Sequence, residues 1–82
     1  MKINLDTKFN IGDTVYFPEL GYDEWYPSDP ATILDIMIHI NNNTTTIKYY
    51  IIDKDGPRRV PIRSDWCFAT CEECTKWCQE NN

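Results

Sequence analysis

The chain has 82 residues, 41% of them hydrophobic and 26% charged. That is enough for one small domain with a thin core, and it excludes a disordered chain. A formal charge of −5, from 13 acidic and 8 basic residues, argues against general affinity for nucleic acid and favours a basic partner. The opening "MKINLDTKFN" has no apolar leader core, and no apolar run reaches membrane-spanning length. The expected location is therefore the cytoplasm, where thiols stay reduced.

In chain order, "FNIGDTVYFP" places a Gly12-Asp13 turn before a β-branched and aromatic run. A strand is predicted at 14–17, stopped by Pro18. "ELGYDEWYPSDP" mixes glycine, prolines, acids and aromatics without a period. It reads as a long loop over 19–30, a length often associated with function. "ATILDIMIHI" alternates Leu34, Ile36, Ile38 and Ile40 with Asp35, Met37 and His39, which predicts a strand over 31–40. "NNNTTT" is the turn, and a partner strand follows at about 46–53. "KDGP" is a second turn, and "RRVPI" predicts a short edge strand at 58–62 because Pro61 lacks an N–H.

All four cysteines lie in "CFATCEECTKWC", at 67, 71, 74 and 78. Thr70 followed by Glu73 is a capping-box pattern, so a helix is predicted over about 71–80. Glu72 and Glu73 then fall in its first turn, where the helix dipole favours them. At spacings of three and four, Cys71, Cys74 and Cys78 share one helix face, with Trp77 beside it. The stripe is expected to pack this helix on the sheet, since a free cysteine behaves as a small hydrophobe. A metal reading that uses all of Cys67, Cys71, Cys74 and Cys78 fails because Cys71 and Cys78 are roughly 10 Å apart along a straight helix, too far for one zinc ion, which leaves a three-cysteine site of Cys67, Cys71 and Cys74. A redox reading rests on Cys71 and Cys74 at the helix start, where two intervening glutamates oppose thiolate formation. Disulfides within the helix have badly aligned Cβ vectors, leaving Cys67–Cys71 as the easier pair. No metal site and no cofactor are expected.

For binding, the aromatic residues of the loop and its surroundings are the candidates: Tyr16, Tyr22, Trp25, Tyr26 and Trp66. Tryptophan and tyrosine are typical interface anchors, and the competing reading has two or three of them serving as core. Arg58, Arg59 and Arg63 form a candidate anion-binding cluster; the competing reading is a solvated face. His39 is the single histidine, with no nucleophile legible beside it, and the three glycines form no phosphate loop. No catalytic residues are assigned, and the chain reads as a non-enzyme.

The order of elements resembles the small Src-homology-3-type barrels of the Tudor and KOW kind. A closer resemblance is to short, uncharacterised phage, prophage and gut-bacterial proteins that begin with G-D-x-V-[YF] and end with F-A-T-x-E-E. Here these are Gly12, Asp13, Val15 and Tyr16, then Phe68, Ala69, Thr70, Glu72 and Glu73. The likeness spans about residues 9 to 80, and the cysteines at 67, 71, 74 and 78 depart from it. Cys67, Cys71 and Cys74 also resemble the C-x-x-x-C-x-x-C iron–sulfur motif of radical S-adenosylmethionine enzymes, but those look like much larger partial barrels. The length sets one domain over 1–82. Its fold class would be mainly β: a small, strongly bent antiparallel barrel or half-barrel of about five strands with one short C-terminal helix. The G-D-x-V-[YF] and F-A-T-x-E-E motifs specify a turn and a helix cap and so carry fold information. Together with the small size and the negative charge, the resemblance leads to the expectation of a non-catalytic protein-binding module of phage or mobile-element type. One version is a counter-defence inhibitor acting on a host protein with a basic surface. The alternatives are a nucleic-acid-binding barrel and a cysteine-based zinc or redox protein.

Overall fold

A computed structural model describes residues 7–82. Its frame is one long hairpin. Strand β4 (Ala31–Ile40) pairs antiparallel with β5 (Thr45–Asp53), from Thr32 opposite Ile52 out to Ile40 opposite Thr45. The asparagines explain the turn between them. Asn41 Oδ1 accepts from the N–H groups of Asn43 and Thr44 at 2.9 and 2.8 Å, so the side chain stands in for backbone partners. A bulge between Ile33 and Asp35 bends β4 and carries Leu34 out of the ladder.

Short segments complete the sheet. Strand β1 (Thr14–Val15) pairs with the start of β4, after a turn in which Gly12 has φ +93°. Strands β6 (Gly56–Pro57) and β7 (Ile62–Arg63) pair with different parts of β5. The predicted strand at 58–62 is thus corrected: only Ile62 of it lies in a strand, β7, and β6 precedes the predicted span. Pro57 and Pro61 each remove a ladder donor, and the intervening residues leave the sheet. The predicted strand at 14–17 is cut to two residues. Tyr16 instead forms an isolated bridge to Phe68, each N–H reaching the other's carbonyl, at 2.9 and 2.7 Å.

The largest correction concerns the predicted loop at 19–30. Most of it is a second hairpin, made of β2 (Pro18–Gly21) and β3 (Glu24–Pro27) around the turn residues Tyr22 and Asp23. Tyr22 takes the left-handed conformation, φ 51°, that so tight a reversal requires. Pro18 and Pro27 sit opposite each other at the hairpin base, where a two-stranded sheet leaves room for residues without an N–H.

The main core lies on the inner face of the larger sheet. Phe9, Val15, Phe17, Ala31, Ile33, Tyr49, Ile51 and Cys67 are buried there, with Ile36, Ile47 and Ile62 packed against them. Tyr49 is fully buried, so its hydroxyl needs partners. It accepts from the N–H of Phe9 at 3.2 Å and lies 3.2 Å from Ser64 Oγ. The fold is mainly β and antiparallel, an open and bent half-barrel with one C-terminal helix, α1 (Cys71–Asn81). Thr70 caps that helix, its Oγ1 accepting from Glu73 N at 3.2 Å. No helix among the described residues is long and apolar enough to cross a membrane.

Candidate functional site: a tryptophan junction

The helix α1 packs against the β2–β3 hairpin and not against the main sheet. Of the predicted cysteine stripe, Cys74 and Cys78 are buried in that contact, whereas Cys71 is exposed. The stripe is therefore two residues wide.

The rim of this contact holds all three tryptophans of the chain. Trp25 comes from β3, Trp66 from the 3-10 turn at Ser64–Trp66, and Trp77 from α1. Their ring centroids lie 5.5 Å (Trp25–Trp66), 5.2 Å (Trp25–Trp77) and 5.3 Å (Trp66–Trp77) apart, mostly edge to face. Such pairs add about 0.5–1.5 kcal/mol each beyond area burial. The helix end secures the same strand a second time. Asn82 Oδ1 accepts from Trp25 N at 2.6 Å, and its Nδ2 donates to Trp25 O at 3.0 Å. One amide side chain thus occupies both backbone groups of a residue on the open edge of β3, much as a further strand would.

The junction is not sealed. Trp66 keeps 36% of its surface, Trp25 and Trp77 are half-buried, and Leu20, directly across the ladder from Trp25, is 60% exposed. Acids flank every ring: Glu24 precedes Trp25, Asp65 precedes Trp66, and Glu73 and Glu80 lie four before and three after Trp77 on the helix. All four are exposed.

Of the five predicted aromatic contacts, Trp25 and Trp66 thus meet at one place. The others stand elsewhere. Tyr22 is fully exposed at the hairpin tip. Tyr26 faces away from Trp25 and lays its ring over Gly21, so that a Cβ there would come within 2.6 Å of it. Tyr16 is half-buried in its bridge to Phe68. Trp77 and Leu20 were not among the predicted contacts. The position of Trp77 between Cys74 and Cys78 was the available signal.

The three arginines do not form one cluster. Arg58 bonds both Glu19 and Asp53 while its guanidinium lies over Phe17, 5.0 Å from the ring centroid. The N–H of Asp55 and then Arg58 hold the Asp53 carboxyl below its ordinary range. Arg63 meets Asp65 at 3.3 Å, and Arg59 is exposed in the segment between β6 and β7.

The four thiols are dispersed as well. Cys67 is in the main core, and burial, opposed by the charge of nearby Lys8, pushes it up to about 11. Cys74 is pushed up to about 12, first by burial and then by Cys78 beside it. Burial thus favours the protonated thiol at both positions and makes both poor nucleophiles. No group of three or more His, Cys, Asp or Glu side chains among the described residues is placed to hold a metal ion. His39 is exposed on the far part of β4. Searches of family models, curated proteins and solved structures find no match to this chain.

Proposed function

We propose that this protein is a non-catalytic protein-binding module that docks its tryptophan junction onto a basic surface of a partner. The observation that carries this reading is the convergence of Trp25, Trp66 and Trp77, still partly exposed, among the carboxylates of Glu24, Asp65, Glu73 and Glu80. Half-buried tryptophans with an adjoining leucine offer the apolar centre of an interface, and the acidic rim steers a cationic partner. Lysine or arginine side chains of that partner would meet both ring faces and carboxylates. The resemblance to phage and prophage proteins, the small size and the charge of −5 fit a cytoplasmic counter-defence inhibitor that covers the basic surface of a host nuclease. The alternative of nucleic-acid binding has less support, because Arg58 is held by both Glu19 and Asp53.

The test is capture from bacterial lysate by the immobilised chain, set beside Trp66→Ala and the charge reversal Asp65→Lys. The expected result is a basic protein retained at low salt, weakened at least about tenfold by either change, as loss of an interface anchor implies. Recovery of nucleic acid alone, with a steep salt dependence, would transfer the reading to the barrel that binds nucleic acid. Capture that ignores both substitutions would remove the junction from the interface.

A further inference from the structure

The long hairpin outruns the core it helps to build. On β4, Ile36, Ile38 and Ile40 share a face with Tyr49, Ile47 and Thr45 of β5, and at Tyr49 that face is fully buried. Ile36 and Ile47 still pack against the core, but Ile38 is 38% and Ile40 46% exposed. The apolar face therefore continues toward the turn with nothing over it among the described residues.

The outer edge of the same strand is open as well. Strand β1 covers only Ala31 and Thr32, and Ile33 exchanges backbone bonds with Gly12 and Asp13. Among the described residues, no strand pairs with the outer edge from Leu34 to Ile40. Every second residue there turns its N–H and C=O outward; of these groups the Ile36 N–H is already bonded, by Asp35 Oδ1 at 2.9 Å, a local contact that an incoming strand must displace. Proteins usually guard such an edge with lysine, proline, a bulge or a covering element. The stretch "IMIHI", residues 36–40, has no lysine and no proline, and the bulge of β4 lies before it.

We propose that this edge is a self-association surface, where two copies of the chain join β4 to β4, antiparallel, into one continuous sheet. Two features select a second copy as the occupant. The first is charge. None of the 13 acidic residues falls between Ile36 and Ile52, a span whose ionisable cations are Lys48 and His39. Two chains of charge −5 repel over most of their surfaces, and this hairpin is where they can meet without opposed carboxylates. The same span gives a basic partner nothing to pair with, which separates this surface from the tryptophan junction.

The second feature is self-complementarity. An isologous contact requires that a patch fit its own copy. About Ile38 the stretch is nearly palindromic: Ile36 meets Ile40 of the copy, Ile38 meets Ile38, and Met37 meets His39. Every isoleucine then falls on one face, so Ile38 packs beside its own copy and Ile40 beside Ile36 of the copy, and each is covered on its outer flank. Five paired residues span roughly 17 Å, a short contact that gives a reversible dimer. Each dimer would display two tryptophan junctions and engage a repeated partner with avidity.

The experiment is sedimentation of the full chain from micromolar to submillimolar concentration, with hydrogen exchange of the Ile36–Ile40 amides at both ends of the range. The expected result is a concentration-dependent doubling of mass, with exchange at these amides slowing as the dimer fills. Ile38→Lys places two ammonium groups across the two-fold axis and is expected to weaken association at least about tenfold, like charges directly opposite being unfavourable. Far-UV circular dichroism should be unchanged, since Ile38 already meets solvent. A monomer at every concentration overturns the proposal. So does a dimer that survives Ile38→Lys with β4 exchange independent of concentration. Slow exchange in a monomer at the outward-facing amides of this stretch would assign the cover to the chain itself, and protection of them only on adding a different protein would assign it to a foreign strand; either result excludes the dimer.

Discussion

Two packings hold this protein together, and they are built differently. Around Tyr49, aliphatic and aromatic side chains from β1, β4, β5 and the flanking segments interdigitate until Val15, Tyr49, Ile51 and Cys67 have no exposed surface. Around Trp77, the centre is filled by two small thiols, Cys74 and Cys78, and closed at the rim by three large indoles that stay partly wet. Apart from Ile38 and Ile40 at the far end of the hairpin, the first packing has spent its apolar surface internally. The second retains some, so a partner that covers it still gains about 25 cal/mol for each Å² removed from water. The same difference sets stability: the closed core should govern global unfolding, and the helix–hairpin contact should open more readily.

Truncation in each packing tests that division, and the largest effect belongs to the closed core. Ile51→Ala leaves a cavity with no route to solvent and is expected to cost about 2–5 kcal/mol, read as a lower urea midpoint for the whole chain. Trp77→Ala removes a half-buried ring, so the expected cost is smaller, on the order of 2 kcal/mol. It should also be local. Thiol labelling of Cys74 and Cys78 should accelerate while Cys67 stays protected and Cys71, already exposed, is unchanged. If Cys67 accelerates equally, the two packings form one cooperative unit and the division fails.

How far each packing could be read from the sequence follows from its physics. The central hairpin was legible because Ile33 to Ile40 and Ile47 to Ile52 carry strong β-formers around an asparagine-rich stop, and the bounds 31–40 hold. The helix was legible from one pair, Thr70 and Glu73. The β2–β3 hairpin was not, because it needs a tyrosine in a left-handed turn, and prolines at its base mimic a loop. Without that hairpin the docking surface of the helix has no visible candidate in the sequence, and the main sheet is the only surface left for the cysteines. The tryptophan junction was half legible: Trp25 and Trp66 were candidates by type, but their meeting with Trp77 depends on contacts between elements far apart in sequence. The arginine cluster failed for a related reason, since Glu19, 39 residues away from Arg58, becomes its partner only through the hidden hairpin.

Alkaline pH offers the finest comparison of the two packings, since each holds one thiol with a raised pKa. Above the ordinary value of 9.0, the unfolded chain releases the proton of Cys67 while the folded chain keeps it until about pH 11. The native state then binds more protons than the unfolded state, so stability falls as pH rises through this window. The slope for one such group is about 1.4 kcal/mol per pH unit. Cys74 has the same sign over a window reaching about 12. Urea midpoints at about pH 8 and about pH 10 bracket the onset of both losses. Other groups titrate there too, so the informative quantity is how much Cys67→Ala or Cys74→Ala flattens the decline. Because the helix–hairpin contact should open locally, Cys74 can lose its proton without global unfolding, and its share of the global slope shrinks accordingly. Cys67→Ala is therefore expected to flatten the decline more than Cys74→Ala, although the Cys74 thiol carries the larger shift. Equal flattening would mean that Cys74 ionises only when the main core unfolds, and that the tryptophan rim holds the helix as firmly as Tyr49 holds the sheet.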